Sequence, residues 1–402
     1  MKPTSLIDSA SGWPEPILGS DKLSHEIFSF LESRFLFGPG ETLTLDCGGG
    51  GGRGRLAAAA LARLEARLRE LSGNPSARIV DFFDLAAGSG AGAVLAAALF
   101  TRGGLSAADA ATALALVRSD DDHRRRTRKK TRTRSWIFGR RSRGGVVGAL
   151  DRVFGEATMR DAAKPLLVPC YDAATGAPYV FSRADAVEGD AYDFFVRDVC
   201  AAAYGSAAAA ATAAAVSVDG ATRVLPAASA TAMASPAAAA VTHVLHNKQE
   251  FPFVAGVGDL LVVSIGNGGG GSGGGAAASE AAEELLRIAG ATQADMVLGF
   301  AFGESRSASY VRIQGDGVTA GRTAEAMLAE RSVEMTETTN GERLDWAAGE
   351  LAKEEERRRQ SKTPTVLIKP AAAAAVTPRT SPSRRCPAPP RLLYDHPLRV
   401  GY

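Results

Sequence analysis

The stretch that most constrains the fold is Asp81–Phe–Phe–Asp–Leu–Ala–Ala–Gly88–Ser89–Gly90–Ala91–Gly92, which runs straight into Ala93–Val–Leu–Ala–Ala–Ala–Leu–Phe100. The short apolar run reads as a buried strand, the three alternate glycines as a tight turn, and the Ala/Leu run as a helix. A strand–turn–helix unit of this kind presents one residue at its apex and aims helix N–H groups at an anion. Gly90 occupies that apex, and it has no side chain.

A second unit of the same form precedes it. Glu41–Thr–Leu–Thr–Leu–Asp46 alternates polar and apolar residues, as a half-buried strand does. After Cys47 come Gly48 to Gly52 and then Arg53–Gly54. The next segment predicts a helix with Leu61, Leu64, Leu68 and Leu71 on one stripe, Gly73 as its C-cap and Pro75 just beyond. Backbone N–H groups beside an arginine suit an oxyanion or a phosphate. A bare glycine run is equally compatible with a flexible low-complexity insert. The loop lacks the Gly-Lys-Ser/Thr ending of a P-loop, which argues against a nucleoside triphosphate.

Further strands are predicted at Leu166–Asp172, Ala177–Phe181, Leu260–Ile265 and Tyr310–Gln314, and further helices at Asp190–Cys200, Pro236–Leu245 and Gly341–Gln360. An Asp219–Gly220 turn ends a short strand at Val216. Alternation of strands with helices implies an α/β layered fold with a mostly parallel sheet. The expected organisation is a helical lead-in over 1–40, one α/β domain over 41–345 and a charged helix with a Pro/Ala/Arg-rich disordered tail over 346–402. Two low-complexity loops are expected inside the domain, a basic one at 119–145 and a glycine-rich one at 266–278. The basic stretch has eight Lys or Arg between Arg124 and Arg134, followed by Trp136 and Phe138. It reads as a solvated surface loop, or more sharply as a contact with anionic lipid headgroups.

Composition narrows the function classes. The 402 residues are 46% apolar and carry a net charge of +2, so no nucleic-acid partner is expected. The four cysteines (Cys47, Cys170, Cys200, Cys386) are far apart, and there are five histidines. That argues against a disulfide framework or a metal site and for a cytoplasmic setting. The N-terminus has no apolar signal core, and no window is apolar enough for a membrane span.

Three landmarks stand in order: Asp46 with Gly50–Gly51–Gly52–Arg53–Gly54, Gly88–Ser89–Gly90–Ala91–Gly92, and Asp219–Gly220. Together they resemble the patatin-like lipid acyl hydrolases. Leu23–Ser–His–Glu–Ile–Phe, Pro169–Cys–Tyr–Asp, Phe181–Ser–Arg–Ala–Asp–Ala and Thr242–His–Val–Leu–His–Asn–Lys–Gln–Glu–Phe–Pro252 resemble the plant patatin-related group III proteins. The resemblance covers about residues 20–365. It implies a three-layer α/β/α fold hydrolysing phospholipid and galactolipid esters with a Ser–Asp dyad, no cofactor and no metal. By the same resemblance the oxyanion hole falls on Gly50, Gly51, Gly52 and Arg53, the elbow glycines on Gly88 and Gly92, and the dyad aspartate on Asp219. The nucleophile position falls on Gly90, where group III members carry G-x-G-x-G. The glycine loop is enlarged here, with Asp46 seven residues before Arg53 instead of the usual five.

Without an apex serine, three routes stay open. Ser89 could stand in as nucleophile, although neighbouring side chains on a tight turn diverge and a hydroxyl capping the next helix is the plainer role. Asp219 could activate water directly while the glycine loop holds the oxyanion. Or the scaffold could bind lipid with little turnover, as a regulatory protein. A more distant reading takes Gly88-x-Gly90-x-x-Ala93 as a dinucleotide fingerprint with Asp109 as its acid. However, Asp109 belongs to a helix start, whereas that acid should end a strand.

Overall fold

The computed structural model describes residues 40–47, 54–101, 103–130, 146–204, 214–226, 235–266, 289–290, 293–303, 309–315, 323–331, 338–360 and 366–368, with side chains of 121–130 excepted. The helical lead-in up to residue 39, the glycine loop at 48–53, residues 131–145 of the basic stretch, the glycine-rich loop from 267 and the tail beyond 368 lie outside these.

Six strands form the central sheet: β1 (Gly40–Cys47), β2 (Leu85–Gly90), β3 (Leu166–Asp172), β4 (Ala177–Ser182), and, after the two-residue strands β5 (Ala215–Val216) and β6 (Arg223–Val224), β7 (Leu260–Gly266) and β8 (Tyr310–Gln314). The order is β4-β3-β2-β1-β7-β8, parallel throughout except for the antiparallel edge strand β4. Side-chain alternation divides the core between two faces. Leu43, Leu45, Ala86, Val263, Ile265 and Ile313 face one core, and Leu85, Ala87, Leu260, Val262 and Tyr310 the other.

Helices α1 (Arg55–Ser72), α2 (Ala91–Phe100), α3 (Ala107–Lys130) and α4 (Val196–Tyr204) contribute to the first core, and α5 (Pro236–His246) covers the second. Helix α6 (Asn340–Gln360) packs on α1. The outcome is the three-layer α/β/α arrangement. All ten residues of α2 are buried. A helix that is apolar all round needs cover on every side, and α2 has it from β1, β2, α3 and α4.

Particular expectations are met or corrected. Gly73 caps α1 in the left-handed conformation, its N–H donating to Glu70 O. Leu61, Leu64 and Leu68 are buried, but Leu71, in the last turn, is exposed. Asp81 and its neighbours form a single helical turn, and the strand starts only at Leu85. The 190–200 helix is a short turn at Asp190–Tyr192 followed by α4. The first part of the basic stretch continues α3 to Lys130 instead of looping out. Arg and Lys are good helix formers, so a helix nucleated at Ala107 propagates through them.

A buried charge cluster ties α6 to the N-terminal edge of the sheet. Arg358 forks onto Asp84, with 2.8 Å to each oxygen, and also contacts Glu41. The Glu41 N–H donates to Asp84 at 3.0 Å, and Lys164 donates to Phe83 O at 2.8 Å. Burial pushes the Asp84 carboxyl up, but Arg358 outweighs it and holds the group below its usual range. Glu41 is pushed well up by burial and then by Asp84 beside it.

Candidate active site

Strand β2 passes into α2 at Gly90, with no residue between them. Gly90 has φ 59° and ψ −130°. An L side chain held there costs about 1–3 kcal/mol, whereas glycine adopts the conformation without steric cost. The flanking glycines are fixed by packing. A Cβ on Gly92 would lie 2.1 Å from Leu45 O, and one on Gly88 would lie 2.4 Å from Gly92 O. These contacts seat the first turn of α2 directly against β1. The N-cap Gly90 supplies no side chain, so the first-turn amides have no side-chain cap. Such amides, with the helix dipole behind them, favour developing negative charge.

Ser89 lies inside β2, opposite Asp46 of β1. Its hydroxyl donates to Asp46 Oδ1 at 3.1 Å, and both residues are buried. The expected helix-capping role is therefore corrected. One residue before the N-cap, the Ser89 side chain follows the strand alternation onto the second face and meets a carboxylate there. Arg312 of β8 lies on the same face, its Nη2 4.0 Å from Asp46 and 3.1 Å from Asp295, its Nη1 donating to Ser264 Oγ at 2.6 Å. This polar cluster was missed by sequence reasoning, which used Asp46 only as a landmark. The available signal was an arginine in the middle of the otherwise apolar strand Tyr310–Gln314.

Asp219 is exposed at the tip of the β5–β6 hairpin. Its Oδ1 accepts from the Ser217 hydroxyl at 2.7 Å and from the Ala221 N–H at 2.9 Å, with Gly220 at φ 76°. The hairpin is pinned to the end of β3: the Leu225 N–H donates to Asp172 Oδ1 at 2.9 Å, and the Ala173 N–H to Leu225 O at 2.7 Å. Strands β2 and β3 are parallel neighbours, so Gly90 and the Asp172 anchor mark the same, C-terminal edge of the sheet. Ser89, by contrast, is paired with Asp46 and not with Asp219. Gly50, Gly51, Gly52 and Arg53 lie outside the described residues.

Other nucleophiles are poorly placed. Burial pushes the Cys170 thiol up to about 12 and raises Cys200 as well, leaving both as inert thiols. Asp109 sits in the first turn of α3, its N–H donating to Ser106 Oγ at 3.1 Å, so it marks a helix start and not the end of a strand. Among the described residues no cluster of His, Cys, Asp or Glu could hold a metal ion, and no helix is long and apolar enough to cross a membrane.

A mostly parallel sheet with a glycine turn feeding a wholly buried helix defines the class: an α/β/α protein organised around a strand–glycine turn–helix unit. Residues 47–240 match the Patatin-like phospholipase family. Patatin-like protein 3 of Oryza sativa subsp. japonica is 42% identical over 391 residues, covering 84% of this chain and 92% of the relative. Patatin-like protein 7 of Arabidopsis thaliana is 36% identical over 437 residues, covering 88% and 85%. A third relative, named Probable inactive patatin-like protein 9 of Arabidopsis thaliana, is 39% identical over 351 residues, covering 81% and 90%. The chain belongs to the patatin-like phospholipase family.

Proposed function

We propose that the protein is a lipid acyl hydrolase acting on phospholipids and galactolipids, with weak turnover because Gly90 stands at the nucleophile position. The observation that carries the reading is the backbone at residue 90, which keeps an elbow conformation while the side chain is missing. In this mechanism Asp219 takes a proton from water as the water oxygen attacks the ester carbonyl carbon. The resulting oxyanion is held by the amides of Gly50 and Gly51, with Gly52 and Arg53 completing the loop, and by the first turn of α2. Collapse breaks the carbonyl–alkoxy bond, and the leaving alcohol takes the proton back from Asp219. An oxyanion hole and substrate binding alone sustain about 10³–10⁴-fold acceleration over water.

Ser89 is not the nucleophile in this reading, since its hydroxyl is buried and bonded to Asp46. The test is fatty-acid release from phosphatidylcholine and galactolipid. Asp219→Ala should abolish release and Ser89→Ala should leave most of it; release unaffected by Asp219→Ala refutes the mechanism. The setting we assign is the cytoplasm, with peripheral contact at anionic membranes through the Arg124–Arg143 region.

A second reading is a lipid-binding or regulatory protein on the same scaffold, favoured by the absent apex side chain and by the relative named as probably inactive. Lipid binding with turnover no higher than a no-enzyme control would establish it.

A further inference from the structure

The hairpin that carries Asp219 leaves one oxygen of its carboxylate open and ties up the other. Two donors reach the group, and both are on Oδ1: the Ala221 N–H at 2.9 Å and the Ser217 hydroxyl at 2.7 Å. Among the described residues nothing donates to Oδ2. The Ala221 bond is the ordinary one of an Asx turn, in which an aspartate accepts from the backbone two residues on. The Ser217 bond is an addition to it. Ser217 is buried whereas Asp219 is exposed, so the hydroxyl reaches the carboxylate from the protein side.

That hydroxyl is itself held in place. Its oxygen accepts from the Thr222 N–H at 2.9 Å, and the Ser217 N–H donates to Thr222 O at 3.0 Å. Ser217 also forms a β-bridge with Phe194, and the Val218 N–H donates to Asp193 O at 2.8 Å, which fixes the hairpin to the segment ahead of α4. The single hydroxyl proton has two acceptors, Asp219 Oδ1 at 2.7 Å and Thr222 O at 3.3 Å. An ionised carboxylate is the stronger of the two, so the proton points to Asp219 while that group is charged. The adjoining carboxylates are engaged elsewhere: Asp172 accepts from Ala174, Thr175 and Leu225, and Asp193 from the Arg160 N–H.

We infer that Ser217 is a positioning residue for the reaction, pinning Oδ1 of Asp219 so that Oδ2 is the atom that takes the proton. The inference deepens the lipid-hydrolase reading and rests on it. As the water oxygen bonds to the ester carbonyl carbon, its proton passes to Oδ2. When the carbonyl–alkoxy bond breaks, Oδ2 returns the proton to the alkoxide oxygen. A carboxylate without the Ser217 bond turns about Cβ–Cγ and shares its oxygens between Ala221 and solvent, so the base is less often aimed. Aiming of this kind acts on the transition state and not on substrate binding, so its loss lowers kcat and leaves KM.

The test is steady-state fatty-acid release from phosphatidylcholine by the full chain, with three replacements at one position. Ser217→Thr keeps the hydroxyl, Ser217→Cys keeps the volume with a weak donor, and Ser217→Ala removes the donor. The Cys and Ala variants should lower kcat about 10-fold with KM unchanged, a rate still above the no-enzyme control, and the Thr variant should keep most of the wild-type kcat. Melting curves identify a variant that does not fold, and the Thr and Cys pair carries the comparison if Ser217→Ala is one. Wild-type kcat in Ser217→Cys, or a loss that is all in KM, overturns the inference. So does an equal loss in the Thr and Cys variants, which would assign Ser217 to folding of the hairpin alone. Asp219→Ala separates the two levels. Release abolished by Asp219→Ala but indifferent to Ser217→Cys rejects the inference alone. Release that survives Asp219→Ala rejects the mechanism and the inference with it.

Discussion

On the proposed reading, Gly90→Ser puts a hydroxyl at the nucleophile position. At φ 59° and ψ −130° the new side chain should cost about 1–3 kcal/mol of stability, because glycine alone occupies that region freely. The catalytic gain works in the opposite direction. Removing the serine of a complete hydrolase site lowers kcat by about 10⁶-fold. In the proposed mechanism Asp219, held by Ser217 and Ala221, takes the serine proton, so recovering even a small share of that factor gives at least a 100-fold (about 2.7 kcal/mol) rise in fatty-acid release. The assay is initial-rate release from phosphatidylcholine micelles, with the melting curve recorded in parallel and Gly90→Ser/Asp219→Ala as control. The double variant should return to background. A folded Gly90→Ser protein with no gain in rate would refute the claim that the elbow is still built for acyl transfer.

The Gly92→Ala variant should lose stability by about 1–3 kcal/mol or fail to fold, since its Cβ would collide with Leu45 O of β1; thermal melting checks this. Removing Arg358 leaves Asp84 and Glu41 buried without their countercharge, so Arg358→Met should cost about 3–5 kcal/mol by denaturant titration. The same cluster sets a pH dependence with two opposite signs. The lowered Asp84 group adds stability that is present above its unfolded value of 3.8 and is lost as pH falls through its folded value. The raised Glu41 group does the reverse, its contribution being lost as pH rises above 4.5 towards its folded value. Glu41→Gln should therefore gain on wild type as pH rises from about 4.5 and lose the advantage in acid, whereas Asp84→Asn should be most damaging near neutrality. Melting curves across pH distinguish them: a Glu41→Gln effect that is flat with pH would contradict the assignment.

Much of this fold was legible because local pattern and tertiary role agree. The alternation in Glu41–Asp46 becomes the two-faced β1, the apolar run at Ala93–Phe100 becomes the buried helix α2, and Gly73 stops α1 as its chemistry demands. Where local signals competed, the reading slipped. Charge density between Arg124 and Lys130 suggested a loop, although helix propensity and the preceding turns carry α3 through it. Leu71 fits the stripe of α1 but lies in its last turn, where it is exposed. At the site, the glycines were legible because only close backbone approach explains them. The Ser89–Asp46–Arg312–Asp295 cluster was not, since it depends on strand registers that bring Asp46 beside Ser89, 43 positions on, and beside Arg312, more than 200 positions on, with Asp295 joining from a helix. No local window contains that information.

The central claim is that the elbow survives as backbone without a nucleophile, and covalent labelling tests it most directly. Wild type and Gly90→Ser would be treated with a fluorophosphonate, and the adduct mapped by intact mass and peptide fragmentation. The account predicts no adduct on wild type and a single adduct at position 90 in the variant. An adduct on Ser89 of wild type, or a folded variant that stays unlabelled, would contradict it.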